Sequence, residues 1–329
     1  MQMKAICIAD GEGEATLVVR DVEQPEPGPR DLLVRVRAAG VNFADLYRAK
    51  RHFGSFRAAG ADIAGLEIAG EVVGIGPEVR GFELGSRVMG MASGAYAEYC
   101  CIDAAVALPV PAELSWTEAA AITGTYVTAH NALVENGALA PGETVLIQAA
   151  SSGVGIAAVQ IARFLGAGLV MGTSTSPAKL ERLVAMGLQV PINSKEQDFV
   201  AEVMKATGDH GADVIIENIG GDTLARDIDC TAIKGRIINV GRLGKWTGEI
   251  NLDEHSRRQI KLIGVTFRTR TIDEVSGIMR RFTDEILPAF RDGTLKPVIH
   301  KTFPLDEASA AQELMRSGGH FGKIVLRVA

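Results

Sequence analysis

The sequence predicts an α/β protein in which a doubly wound parallel sheet is joined to a smaller β-rich domain. Three observations predict it. An apolar strand, a turn of small residues and an amphipathic helix follow one another over residues 145–163. Strand and helix patterns then alternate to about Phe290, as crossovers between parallel strands require. Up to about residue 100 the chain reads instead as short strands punctuated by Gly and Pro, the pattern of a small barrel.

The elements follow in order. Pro25-Glu-Pro-Gly-Pro-Arg-Asp31 is a turn between strands expected at 17–22 and 32–39. Further short strands are predicted at 67–76, 87–91 and 95–102. Ser115-Trp-Thr-Glu118 has the spacing of a capping box and opens a helical region reaching about Asn136. Pro141-Gly142 turns the chain into the strand at 145–147, and later strands are expected at 168–176, 212–221, 235–241 and 261–267. The tail reads strand, helix, strand over 298–303, 306–316 and 323–328 and is expected to return to the first domain. The domains are therefore placed at 1–123 with 296–329, and at 124–295.

The turn after residue 147 carries the chemistry. Ala150, Ser152 and Gly155 take the three glycine places of G-x-G-x-x-G. Only the last is glycine, so the bare motif is weak and its context has to support it. Small side chains allow close backbone approach, and Gly153 adds freedom. The backbone of Ser151, Ser152, Gly153 and Val154, at the positive end of the following helix, is suited to a pyrophosphate. In an NAD-specific unit the next strand ends in Asp or Glu, which binds the ribose hydroxyls. Here it ends in Thr173-Ser-Thr-Ser176, with Lys179 following within one helical turn. These groups accept a 2′-phosphate that a carboxylate would repel, so the cofactor is read as NADPH. Gly220 and Gly241 stand at the carboxyl ends of later strands, where ligands of such sheets lie, although ordinary turns explain them equally well.

Composition narrows the function. Of 329 residues, 47% are hydrophobic, enough for a sizeable core and two domains. A net charge of −6 without a basic cluster gives no footprint for nucleic acid or an anionic membrane. The four cysteines, Cys7, Cys100, Cys101 and Cys230, show neither a disulfide framework nor metal spacing. Residues 1–10 lack the pattern of a signal peptide, and no apolar run approaches the ~20 residues of a membrane span. A cytoplasmic location is expected.

The runs Ala39-Gly-Val-Asn-Phe-Ala-Asp45, Gly65-Leu-Glu-Ile-Ala-Gly-Glu-Val-Val73, Val127-Thr-Ala-His130, the turn, and Phe321-Gly-Lys-Ile-Val-Leu326 carry a family likeness. With them the whole chain resembles the medium-chain dehydrogenase/reductase superfamily, and within it the zinc-independent quinone oxidoreductases. Phe267-Arg-Thr-Arg270 and Phe282-Thr-Asp-Glu-Ile-Leu-Pro-Ala-Phe290 look most like the branch containing the p53-inducible quinone oxidoreductase. The resemblance implies a GroES-like catalytic domain, a Rossmann domain and a cleft between them. It also implies a homodimer joined through edge strands of the Rossmann sheets, with 261–267 as the candidate seam.

Zinc-dependent members of the superfamily hold their metal through Cys, His and Cys. Laying their motifs on this chain puts Asn42, Leu66 and Gly124 at those places, and an apolar side chain and a glycine cannot bind Zn²⁺. Hydride addition to an isolated carbonyl builds an alkoxide that a Lewis acid stabilises. Without one, the acceptor has to spread the charge itself, as a quinone or α,β-unsaturated carbonyl does. NADPH-dependent reduction of such a small conjugated acceptor is the expected activity. An enoyl thioester reductase is the alternative, against which stands the lack of a basic cluster for a coenzyme A phosphate. A non-catalytic dinucleotide-binding protein is the third reading.

The resemblance also implies site residues. Asn42 lies near the nicotinamide ribose and the acceptor, where its amide would donate to a developing oxygen, and Tyr47 would supply a proton or hydrogen bond. Tyr47, His52 and Phe53 line the acceptor pocket, with Phe53 where some relatives have a second tyrosine. Thr128 falls beside the nicotinamide and pyrophosphate, Ser194 where many relatives have a tyrosine against the adenosine phosphate, a departure that weakens the NADPH reading while Lys179 remains, and Phe321-Gly322-Lys323 where the tail approaches the nicotinamide. Glu67 reads as a structural carboxylate of the barrel rim.

Overall fold

The computed structural model describes residues 1–9, 16–48 and 62–329. His52 and Phe53, two of the expected pocket residues, lie outside the described residues. In chain order the strands are β1 (Gln2–Ala9), β2 (Thr16–Glu23), β3 (Asp31–Val41), β4 (Glu67–Ile75), β5 (Arg87–Met91), β6 (Tyr99–Asp103) and β7 (Leu108–Pro109). There follow β8 (Thr144–Ile147), β9 (Leu169–Ser174), β10 (Val190–Asn193), β11 (Ala212–Glu217), β12 (Thr231–Asn239), β13 (Lys261–Gly264), β14 (Ile299–Pro304) and β15 (Lys323–Arg327). The chain divides into two compact units, Met1–Val127 with Phe267–Ala329, and Thr128–Thr266.

In the first unit a sheet runs β14-β15-β3-β4-β5-β7, with β6 also paired to β3 and β1 paired separately to β2. β3 shows why these residues make strands. Val34, Val36 and Ala38 are buried, while Arg35 and Arg37 between them are half-exposed and pair with Glu71 on β4. Cys100 is buried and Cys101 partly exposed, as neighbours on one strand should be. β15 lies antiparallel to β3, with Ile324 opposite Val41, so the tail inserts into the first unit's sheet.

Residues 267–295 group with the first unit, not with the second as the sequence reading placed them. The cause is packing. Helix Ile272–Glu285 buries Val275, Ile278, Met279 and Phe282. Phe290 then sits edge-on to Tyr126 at 4.9 Å, and the Tyr126 hydroxyl donates to the Lys296 carbonyl at 2.7 Å.

The second unit is a six-stranded, all-parallel sheet in the order β10-β9-β8-β11-β12-β13. Counted within the unit this is 3-2-1-4-5-6, the Rossmann arrangement, and the strand order reverses between β8 and β11. β10 was not expected from the sequence. It contains Pro191 and forms one edge of the sheet, where a missing N–H breaks no ladder. Among the described residues no helix is long and apolar enough to cross a membrane.

Candidate active site

The turn after β8 lies where the strand order reverses. Ser152 caps helix Gly153–Phe164, its hydroxyl accepting the Gly155 N–H at 3.1 Å. The first amides of that helix, at Gly153 and Val154, have no intrahelical acceptor, the condition under which a helix start can receive an anion. Gly155 is required by close packing, since a Cβ there would come within 2.7 Å of the Ala150 backbone. Ala150 is fully buried and its N–H donates to the Thr173 carbonyl at 2.8 Å, which ties the turn to β9. Residues and geometry both fit a bound dinucleotide.

The end of β9 divides the hydroxyls expected to meet a 2′-phosphate. Thr173 is buried and does not offer its hydroxyl to a ligand. It donates to Gln148 Oε1 at 2.6 Å and accepts the Ala149 N–H at 3.1 Å. Ser174 is also buried and shares a hydrogen bond with Ser151 at 3.1 Å. Thr175 is exposed, and Ser176 and Lys179 are half-buried. Ser176 precedes Pro177 at the start of helix Pro177–Val184 without using its hydroxyl as a cap. Partial burial holds the Lys179 ammonium below the usual lysine range. Ser194 is exposed beyond β10.

At the far side of the switch point, Glu217 ends β11 as a buried carboxylate. It accepts the N–H groups of Ile219 and Gly220 at 2.7 and 2.8 Å and the Asn239 amide at 3.0 Å. Burial raises its carboxyl, opposed by those donors and by Arg242. Gly241 donates to the Glu217 carbonyl at 3.2 Å, so Gly220 and Gly241 are joined through one residue. Glu217 was unremarked in the sequence, although an acid inside Val-Ile-Ile-Glu-Asn is the kind of interruption that marks such a role.

The barrel unit builds its site differently. Glu67 and Lys323 are both buried and form an ion pair at 2.6 Å. Glu67 also accepts the Thr123 hydroxyl at 3.0 Å, the Gly124 N–H at 2.6 Å and the Asn42 amide at 3.1 Å. Lys323 donates to Asn42 Oδ1 at 2.6 Å, which fixes the amide, because a flip would set its NH₂ against the ammonium. The ammonium expected at the cofactor is therefore committed inside the barrel. The Asn42 amide hydrogens are bonded too, one to Glu67 and one to the Gly40 carbonyl at 3.3 Å. A Cβ at position 124 would lie 2.6 Å from Asn42 Oδ1 and 2.7 Å from Glu67 Oε2, so this spot admits only glycine.

Behind Asn42, Asp45 accepts the Asn42 N–H and the Tyr96 hydroxyl, both at 2.8 Å. Burial lifts its carboxyl to about 6 despite those donors. Tyr47 is half-buried and stands edge-on to Phe43 at 5.4 Å. Phe321 is buried and Gly322 lies in the turn before β15. Thr128 opens a short helical turn between two π-helical turns, 123–127 and 131–136.

Comparison with known proteins agrees with this architecture. Residues 28–112 match the alcohol dehydrogenase GroES-like domain, and residues 153–284 match the family described as zinc-binding dehydrogenase. The chain is 32% identical over 328 residues to a quinone oxidoreductase of Rattus norvegicus, covering 98% of this chain and 97% of that protein. The chain belongs to the quinone oxidoreductase family of the medium-chain dehydrogenases/reductases. It is an oxidoreductase built for a nicotinamide dinucleotide. A phenolphthiocerol/phthiocerol polyketide synthase subunit of Mycobacterium tuberculosis is 33% identical over 95% of this chain, which spans only 14% of that subunit. Among solved structures, an NAD-dependent alcohol dehydrogenase superposes with a TM-score of 0.86 at 30% identity, each chain covered completely. A mycobacterial protein complexed with NADPH superposes with a TM-score of 0.86 at 27% identity, covering 99% of this chain and all of the other.

Proposed function

We propose that this enzyme reduces quinones or α,β-unsaturated carbonyls with NADPH and without a metal. The observation that carries the reading is the set of groups at the three zinc-ligand places. Asn42 has its carboxamide oxygen on an ammonium, Leu66 has no donor atom, and Gly124 has no side chain and no room for one. That set is unfit for Zn²⁺, so the acceptor itself has to delocalise the charge that hydride brings.

The bound nicotinamide supplies the hydride. The chain's residues hold and orient. The amides at Gly153 and Val154 take the pyrophosphate, and Thr175, Ser176 and Lys179, which follow β9 where an NAD-specific strand ends in an acid, take the 2′-phosphate. Tyr47, a half-buried phenol on the short helix after Asn42, is the hydrogen-bond donor proposed for the oxygen on which charge develops. A homodimer through β13 is part of the proposal. That strand ends the sheet, and its Leu262 is 40% exposed.

The test is NADPH oxidation by the chelator-treated enzyme against 1,4-naphthoquinone, an enone, an aldehyde and crotonyl-CoA. Turnover of the first two without metal is expected. Activity confined to the aldehyde and restored by Zn²⁺ would overturn the reading. A second reading, reduction of enoyl thioesters, is favoured by the match to the polyketide synthase subunit and would appear as preference for crotonyl-CoA.

A further inference from the structure

Beneath the dinucleotide turn lies a buried relay that the proposed chemistry does not use. Asp227, on helix Asp222–Cys230, is fully buried. Its Oδ1 accepts the Gln148 side-chain amide at 2.7 Å, while its Oδ2 has no partner. Gln148 Oε1 accepts the Thr173 hydroxyl at 2.6 Å, and that hydroxyl accepts the Ala149 N–H at 3.1 Å. Ala149 opens the turn in the left-handed region at φ 50°, which a non-glycine residue adopts only where its surroundings hold it. The Gln148 carbonyl accepts the Asn218 amide at 3.0 Å, so one residue ties the ends of β8, β9 and β11 to that helix.

The relay runs one way. Asp227 as an acceptor forces the Gln148 amide nitrogen toward the helix and its oxygen toward β9. The oxygen orients the Thr173 hydroxyl, whose lone pair then holds Ala149. Remove the acceptor, and the amide is free to flip and present NH₂ to Thr173, which strands the hydroxyl proton. Two buried carboxylates lie near each other here, and their surroundings separate them. Glu217 has two backbone N–H donors, an amide and Arg242, which oppose the burial that raises its carboxyl. Burial and the Glu217 charge push the Asp227 carboxyl well above its ordinary range. Asp227 thus sits in the fold as the acceptor of one hydrogen bond, with its other oxygen unpartnered.

We propose that Asp227 and Gln148 are positioning residues for the dinucleotide. Acting through Thr173, they set the backbone of Ala149 and so the direction of the amides that receive the pyrophosphate. This rests on assigning residues 149–155 to the cofactor.

The experiment titrates the full-length protein with NADPH and with NADH by fluorescence. It compares the wild type with Asp227→Asn, Asp227→Leu, Thr173→Val and the double variant Asp227→Leu/Thr173→Val. Asparagine keeps the acceptor oxygen that the Gln148 amide uses, and its affinity should stay within about twofold of wild type. Asp227→Leu and Thr173→Val should each weaken both nucleotides roughly tenfold, and the double variant no more than the worse single one, because all act on one chain of bonds. The acceptor KM at saturating nucleotide should not move. If Asp227→Leu does not fold, Thr173→Val and Asp227→Asn still decide. Variants that bind like the wild type while melting lower, or factors that multiply in the double variant, would overturn the proposal. A wild type that binds neither nucleotide would instead remove the cofactor assignment, and the proposal with it.

Discussion

The two units hold their functional groups by opposite means. The sheet unit uses backbone: a turn of small residues, a helix cap, and buried side chains whose work is to tie strand ends together. The barrel unit uses charge, since Glu67, Lys323 and Asp45 are all buried around one amide. Loss of one hydroxyl or amide from the backbone-built turn costs little stability, because such a bond contributes modestly. Loss of one partner from the charge-built site costs more, because an ion left alone in the interior has nothing to offset its desolvation.

The largest effect is therefore expected at Lys323. Lys323→Met leaves Glu67 buried without its countercharge and Asn42 Oδ1 without its donor, and should lower unfolding stability by about 3–5 kcal/mol. Denaturant melts measure it. Removing both ends of the pair, in Glu67→Gln/Lys323→Met, should recover a large part of the loss. If Lys323→Met costs less than about 1 kcal/mol, as a surface ion pair does, the contrast between the units fails.

Asp45 sharpens the same contrast through pH. Burial is the main cause that raises its carboxyl to about 6. Between roughly pH 4 and 6 the unfolded chain has released this proton and the folded chain has kept it. The contribution of Asp45 to stability therefore falls as pH rises through that window, by on the order of 3 kcal/mol in total, and is flat above it. Asp45→Asn keeps an acceptor for the Asn42 N–H and the Tyr96 hydroxyl but cannot ionise. The difference between wild-type and variant stability, followed from pH 4 to 7, should show that slope. A constant difference would mean that Asp45 is not buried as an acid.

Lys179 tests the sheet unit at its one proposed charged contact. Lys179→Ala should weaken NADPH by roughly 1.5–3 kcal/mol and leave NADH almost unchanged, because only the former carries the 2′-phosphate. Equal losses for both nucleotides would end the phosphate assignment.

The same difference decides what the sequence could show. Strand, turn and helix of the sheet unit are local, so apolar periodicity and three small residues were enough to find the turn. Gly155 takes the third glycine place by spacing alone, whereas Ser152 was read as a small residue at the second place and its role as cap is seen only in the structure. The barrel cluster joins residues 256 and 281 positions apart, and no local pattern reveals that the Lys323 ammonium meets Glu67 and Asn42. Family likeness pointed to those residues but assigned Lys323 and the Asn42 amide to the cofactor and acceptor, because it carries position and not hydrogen-bond direction. Thr173 was misread for a related reason. A hydroxyl at a strand end looks available until a partner such as Gln148, 25 residues away, is seen to take its proton. The boundary near residue 267 was hidden because helix Ile272–Glu285 carries the same amphipathic signal whichever unit it packs on.

The smallest expected effect is also the one that best separates support of the turn from recognition by it. Ser152→Ala removes the cap and should cost about 1 kcal/mol of stability, whereas Ser152→Gly should cost only a few tenths. Either change leaves the amides of Gly153 and Val154 in place, so nucleotide affinity should fall little. Ser152→Asp reverses the pattern. A carboxylate caps a helix as well as a hydroxyl does and suits its positive end, so stability should hold or rise. The same charge sits where the pyrophosphate is proposed to bind, so affinity for both NADPH and NADH should fall together, and more steeply at low salt. A capped, stable Ser152→Asp protein that binds nucleotide like the wild type would show that the helix terminus is only a structural element, and the anion would have to be held elsewhere in the sheet unit.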